Sequence, residues 1–374
     1  MYRDLTRGSI SRSLLLFALP MIAGNLLQQF YNIADTLIVG RALGSEALAA
    51  VGSAYTLMTF LTSIFLGLSM GSGALFSIYR GRGDESSLRL GIVHAFGLIL
   101  CVTLMLNAAV YLFLEPILRF LQVPESVAPG MREYLLIIFS GLLATSLYNY
   151  LSCLLRALGN STVPLVFLAV SAMLNIGLDL LFVLVFHWGI AGAAWATVIA
   201  QYMSGVGILW FFLAKCKHLL PKKKELHYDR AILKDIFQLS SLTCVQQSVM
   251  NFGILMVQGL VNSFGATVMA AFAAAVKIDT FAYLPVQDFG NAFSTFIAQN
   301  YGAGNRERLR EGTRKAFLLS FVFSAVISAL VVTFAETLMG LFVNASETAV
   351  VATGAHYLRI EGACYFGIGW LFLL

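Results

Sequence analysis

Long apolar blocks separated by short polar, mostly basic, stretches run from end to end of this chain. A helix needs about 20 apolar residues to cross a hydrocarbon core, because every backbone N–H and C=O must be satisfied within the segment. Ten blocks meet that demand: near Leu14 to Val39, Ala50 to Phe76, Gly91 to Phe113, Tyr134 to Leu154, Val163 to Phe186, Ile190 to Ala214, Phe237 to Val261, Ala266 to Ala298, Ala316 to Ala335, and Tyr357 to the end. The pattern predicts an all-α, polytopic membrane protein. The first block is too long for a removable signal peptide and lacks a small-residue cleavage site, so it reads as a span.

Composition agrees with lipid as the solvent. A chain of 374 residues that is 59% hydrophobic and 11% charged has too few polar residues to coat a soluble globule. The charges that remain are distributed by side. With a cytoplasmic N-terminus, only Arg41, Arg119 and Arg132 fall on the opposite side and only Lys277 and Arg359 within spans, an asymmetry that fixes the expected orientation in a cell membrane. The net charge of +5 then reflects topology. Nucleic acid is excluded as its cause, since the basic residues sit in short loops without interleaved aromatics, and Lys222 to Lys224 reads as a loop near anionic headgroups. The five cysteines show no metal-like spacing and read as small core residues.

The chain also repeats itself. At an offset of 221, Gly44 meets Gly265, and Gly81, Gly83, Arg89 and Gly91 meet Gly302, Gly304, Arg310 and Gly312. Six spans per repeat, an even number, predict two lobes in one orientation related by an axis along the membrane normal. The expected organisation is an N-lobe at 1–214, a cytoplasmic linker at 215–234 and a partial C-lobe at 235–374. By this symmetry about ten of twelve spans are present, and a truncated chain is expected. Gly81-x-Gly83 and Gly302-x-Gly304 each end a span, so a tight interhelical turn is expected there, not a phosphate cradle.

Polar residues inside the spans carry the candidate chemistry. Asn25, Gln28, Asn32 and Asp35 form one stripe on the first span, and Ser171, Asn175 and Asp179 recur every four residues on the fifth. Intramembrane carboxylates are costly and mark ion or proton paths. Two of them sharing a cavity cannot both ionise easily, so the pair would hold a proton or Na⁺. The competing reading is helix packing, with Thr197 or Gln201 of the sixth span as hydrogen-bond partners. In the second copy, Lys277 and Asp279 either neutralise each other or take part in transport, and Asp288 follows. Met21 and Tyr31 are expected to line a pocket.

Ala18-Leu-Pro20, Tyr31-Asn-x-x-Asp35-Thr-x-x-Val39-Gly40, Asn175-Ile-x-Leu-Asp179, Gly189-Ile-x-Gly-Ala-Ala-x-Ala-Thr197 and Ser294-Thr-Phe-x-x-Gln-Asn300-x-Gly-Ala-Gly304 together resemble the multidrug and toxic compound extrusion (MATE) family. The resemblance implies two six-helix lobes around a V-shaped cavity and export of amphipathic, often cationic, small molecules in exchange for Na⁺ or H⁺. It assigns cation coupling to Asp35, Asn175, Asp179 and Thr197. Substrate contacts are expected from Met21, Gln28, Tyr31, Asn32 and Asn149, with Gln247 and Asp279 from the second copy. The seventh span offers Gln246, Gln247, Asn251 and Gln258 where the NorM-type branch has a Glu, so the chain looks closer to DinF-type members. No cofactor beyond the coupling ion is expected, and the partners are small-molecule substrates and membrane lipids around a monomer. A flippase for lipid-linked oligosaccharide precursors would want a basic cavity, for which only Lys277 and Arg359 are available. A membrane enzyme would need a clustered catalytic or metal motif, and none is found.

Overall fold

The computed structural model describes residues 3–120, 127–222, 225–262, 264, 266–342 and 347–373. Lys223 and Lys224 of the basic loop therefore lie outside the described residues. The helices follow in the order α1 (Ile10–Leu43), α2 (Ser45–Arg82), α3 (Glu85–Phe120), α4 (Ala128–Ile138), α5 (Leu142–Ala157), α6 (Thr162–Asp179), α7 (Gly189–Lys215), α8 (Arg230–Asn262), α9 (Ala266–Gly302), α10 (Arg306–Thr333), α11 (Ala335–Gly340), α12 (Thr348–Ala363) and α13 (Tyr365–Leu371). Among the described residues no strand occurs, and seven helical stretches are long and apolar enough to cross a membrane. The helices α8 and α9 have 33 and 37 residues, comparable lengths.

Packing divides the chain into two compact units. The first is built on Ala23–Ser248, and the second joins Arg3–Ile22 to Val249–Leu374. Both α1 and α8 are thus shared, each changing unit in mid-helix. Unit 1 has a continuous apolar core running from Val39 through Phe65, Phe76, Leu135 and Leu154 to Ile236. In unit 2, Leu5, Leu14, Phe17 and Met21 pack with Phe289, Phe293 and Phe296, while Ala275, Met339 and Leu358 centre a second cluster.

The expected fourth span is broken. Phe139–Gly141 forms a turn of 3₁₀ helix between α4 and α5, and lipid offers no water for the carbonyls that such a break releases. Neighbouring side chains supply the donors. Tyr111 Oη donates to Leu136 O (2.9 Å), Asn107 Nδ2 to Phe139 O (2.8 Å), Ser140 Oγ to Ile137 O (2.6 Å) and Tyr202 Oη to Ser140 O (2.9 Å).

Both Gly-x-Gly turns form as the repeat predicts. Gly83 and Gly304 adopt φ of 72° and 68°, a conformation that favours glycine. Asp84 Oδ1 then accepts from Ser87 N (3.0 Å), and Asn305 Oδ1 from Arg308 N (3.3 Å). Hydrogen bonds from Ser87 hold the Asp84 carboxyl below its ordinary range.

Candidate functional site in unit 1

The buried face of α6 is the polar stripe read from the sequence: Ser171, Asn175 and Asp179 are buried, and Asp179 is wholly so. Ser171 Oγ donates to Ala200 O of α7 (2.7 Å). Thr197 Oγ1 commits its proton to Ala193 O (3.1 Å) and accepts from Asn175 Nδ2 (3.3 Å). That bond orients the Asn175 amide and leaves Oδ1 buried without a partner. For Ser171 and Asn175, helix packing against α7 thus accounts for part of the stripe.

It does not account for the carboxylates. Asp35 of α1 and Asp179 are neighbours. Yet Asp35 Oδ1 and both oxygens of Asp179 are buried without any donor. Ionised carboxylates only accept, so two of them facing each other satisfy nothing. With Asn175 Oδ1 they form a set of acceptors that a proton or a hard cation, which binds oxygen, would complete. The donor set fits either ion.

Two tyrosines lie near the pair. Tyr31 and Tyr134 are within electrostatic range of both carboxyls, and Tyr55 and Tyr148 are close to Tyr31. The sequence reading named Tyr31 as a pocket residue but gave Tyr134, Tyr55 and Tyr148 no site role. An aromatic in an apolar span carries no signal until the helices are packed.

The other expected substrate contacts are dispersed. Gln28 and Asn32 are half-buried on α1, in the part belonging to unit 1. Asn149 of α5 turns its amide back to Thr145 O (2.8 Å), and Gln247 is half-buried on α8. Met21 is buried in the apolar cluster of unit 2 with Phe289 and Phe293.

Unit 2 has a carboxylate pair of its own. Asp279 of α9 is buried beside the Tyr365 hydroxyl of α13, and Glu361 of α12, half-buried, is close to Tyr357 and within electrostatic range of Asp279. Glu361, Tyr357 and Tyr365 were not read as site residues. The expected pairing of Lys277 with Asp279 does not form, because Lys277 is exposed while Asp279 is buried. Two positions apart on a helix, residues project about 200° apart and cannot face each other. Arg359 pairs with Glu336 (2.9 Å), and both Lys277 and Arg359 are exposed. Asp288 is buried in α9.

The MatE family model matches residues 20–181 and 243–374. The probable multidrug resistance protein YpnP of Bacillus subtilis (strain 168) is 33% identical over 377 residues, covering 99% of this chain and 82% of the relative. An FAD transporter of Shewanella oneidensis is 24% identical over 377 residues, covering 98% and 81%. A solved structure described as the outward-facing conformation of a multidrug resistance MATE family transporter of the MOP superfamily matches with a TM-score of 0.92 at 22% identity, covering 99% of this chain and 82% of that one. The fold is therefore shared with that transporter.

Proposed function

Because the chain belongs to the MatE family, and so among multi-pass membrane transporters, we propose that it is a secondary antiporter. In this reading it exports amphipathic, often cationic, small molecules in exchange for Na⁺ or H⁺, acting as a monomer in the cell membrane with its N-terminus in the cytoplasm. The observation that carries the reading is the set of buried acceptors on Asp35, Asp179 and Asn175 that no protein donor satisfies. A site of that kind is stable only with a positive charge in it.

Exchange follows from competition. Coupling ion and cationic cargo each neutralise the same two carboxylates, and the empty, doubly charged state is the least favourable, so one departs as the other arrives. Thr197 positions the Asn175 amide, and Asp35 brings α1 into the site. For an uncharged cargo one inward charge at 100 mV supplies about 2.3 kcal/mol, whereas one-for-one exchange with a monovalent cationic cargo moves no net charge and draws on the ion gradient alone, about 1.4 kcal/mol per pH unit. Either sustains roughly a tenfold cargo gradient or more per ion.

Cargo class rests on the sign of the site. The FAD transporter carries a phosphate-bearing molecule, whereas the carboxylates here favour cations. A flippase for lipid-linked precursors is disfavoured for the same reason: the buried groups at the site are carboxylates, which repel a pyrophosphate. The test is efflux of ethidium from energised cells, with imposed Na⁺ and pH gradients in parallel. Asp35→Asn is expected to abolish gradient-driven efflux at unchanged expression. Export at the wild-type rate by that variant would remove the coupling role.

A further inference from the structure

The residues just before α1 are held far more firmly than a chain end requires. Leu5 is completely buried. Its N–H donates to Gln299 Oε1 (3.3 Å), and its carbonyl accepts from Asn300 Nδ2 (3.2 Å). Arg308, on the first turn of α10, closes the grip. Its Nε and Nη2 donate to Leu5 O (3.3 and 3.2 Å), Nη2 also to Arg7 O (2.9 Å), and Nη1 to Gly8 O (2.7 Å). The same guanidinium lies over the Phe296 ring, 5.6 Å from its centroid. The planar fork of donors reaches three carbonyls of one bend in a fixed geometry.

A counterpart exists in unit 1, on the repeat-equivalent helix. There α3 holds the segment preceding α8, through Arg89 to Glu225 (3.6 Å) and through His94 Nε2, which accepts from Asp229 N (3.2 Å). Each unit thus grips the lead-in of a helix whose remainder belongs to the other unit: Arg3–Ile22 goes with unit 2 while Ala23–Leu43, with Asp35, goes with unit 1.

We propose that Arg308 is a positioning residue of the transport cycle: by gripping Leu5–Gly8 it fixes the direction in which the chain enters α1, the helix that bears Asp35. This rests on the antiport reading above. A hydrophobic anchor alone would hold Leu5 near α9. The fork to Leu5, Arg7 and Gly8 in addition fixes the direction of that approach.

The test compares wild type, Arg308→Ala, Arg308→Lys and Asp35→Asn, each as the full chain in proteoliposomes. Hydrogen exchange of the peptide containing Leu5 reports the grip, equilibrium ethidium polarisation reports the site, and gradient-driven ethidium flux reports coupling. In Arg308→Ala we expect exchange at Leu5 at least tenfold faster, ethidium affinity within twofold of wild type, and flux at least tenfold slower. Arg308→Lys, which keeps the charge and loses the fork, should behave like Arg308→Ala. Wild-type flux with a released Leu5 would overturn the proposal, and so would loss of affinity in step with flux, which marks a purely structural residue. Wild-type flux in Asp35→Asn would remove the ion-exchange reading, while the flux of Arg308→Ala would still decide the role of the grip.

Discussion

Asp179 illustrates at the scale of one residue how a site can work against the fold that holds it. A buried carboxylate without a donor costs several kcal/mol that packing elsewhere has to offset. Removing the charge while keeping the shape should therefore stabilise the protein. Asp179→Asn is expected to raise the melting temperature in detergent by at least a few degrees, read by fluorescence size-exclusion after heating, while ion-coupled flux is lost. The gain should shrink as the buffer is acidified, since protonation removes the same charge. A lower melting temperature at neutral pH would mean that Asp179 has a stabilising partner after all. Asp35 and Asp179 were legible in the sequence because a carboxylate inside an apolar block has no other cheap explanation. Arg308 was not: its partners are backbone carbonyls, which no pattern of side chains reveals, and it read only as one basic residue among many.

Among the elements of unit 1, α2 and α8 approach closely. A Cβ on Gly71 would lie 2.5 Å from Ser240 Cα and 2.7 Å from Leu239 O, and one on Gly67 would lie 2.7 Å from Cys244 Cα. Ser72 and Ser240 then share a hydrogen bond at 3.2 Å. Backbone cannot yield as a side-chain tip can, so Gly71→Val should separate the helices at a cost of about 1–3 kcal/mol. The expected result is a loss of monodisperse protein in detergent, with a smaller loss for Gly52→Val, where a Cβ would meet nothing within 4 Å. Equal yields from the two variants would contradict the tight crossing. The spans themselves could be read from length and hydropathy, but the break at Phe139–Gly141 could not. No proline marks it, and the donors that make it tolerable come from α3 and α7 as well as from its own turn.

For the molecule as a whole, the repeat predicted two like copies, and the structure adds that the copies are interlaced, since α1 and α8 each change unit partway along. That exchange leaves no trace in hydropathy, because a span reads the same whichever unit it joins. It has a measurable consequence. When residues 1–222 and 225–374 are expressed as two separate polypeptides, each lacks a segment that its own unit packs against. Co-expression should yield a complex that co-purifies through a tag on either piece, whereas each piece alone should be degraded or aggregate. Accumulation of monodisperse 1–222 by itself would count against interlacing.

The burial of Leu5 also bears on how the protein is made. The groups that receive it, Gln299, Asn300 and Arg308, follow it by 294 to 303 residues. At about 5–20 residues per second a ribosome takes roughly 15–60 seconds to cover that stretch. For that interval the segment before α1 waits with an apolar side chain uncovered, and its packing is complete only once the start of α10 has been synthesised.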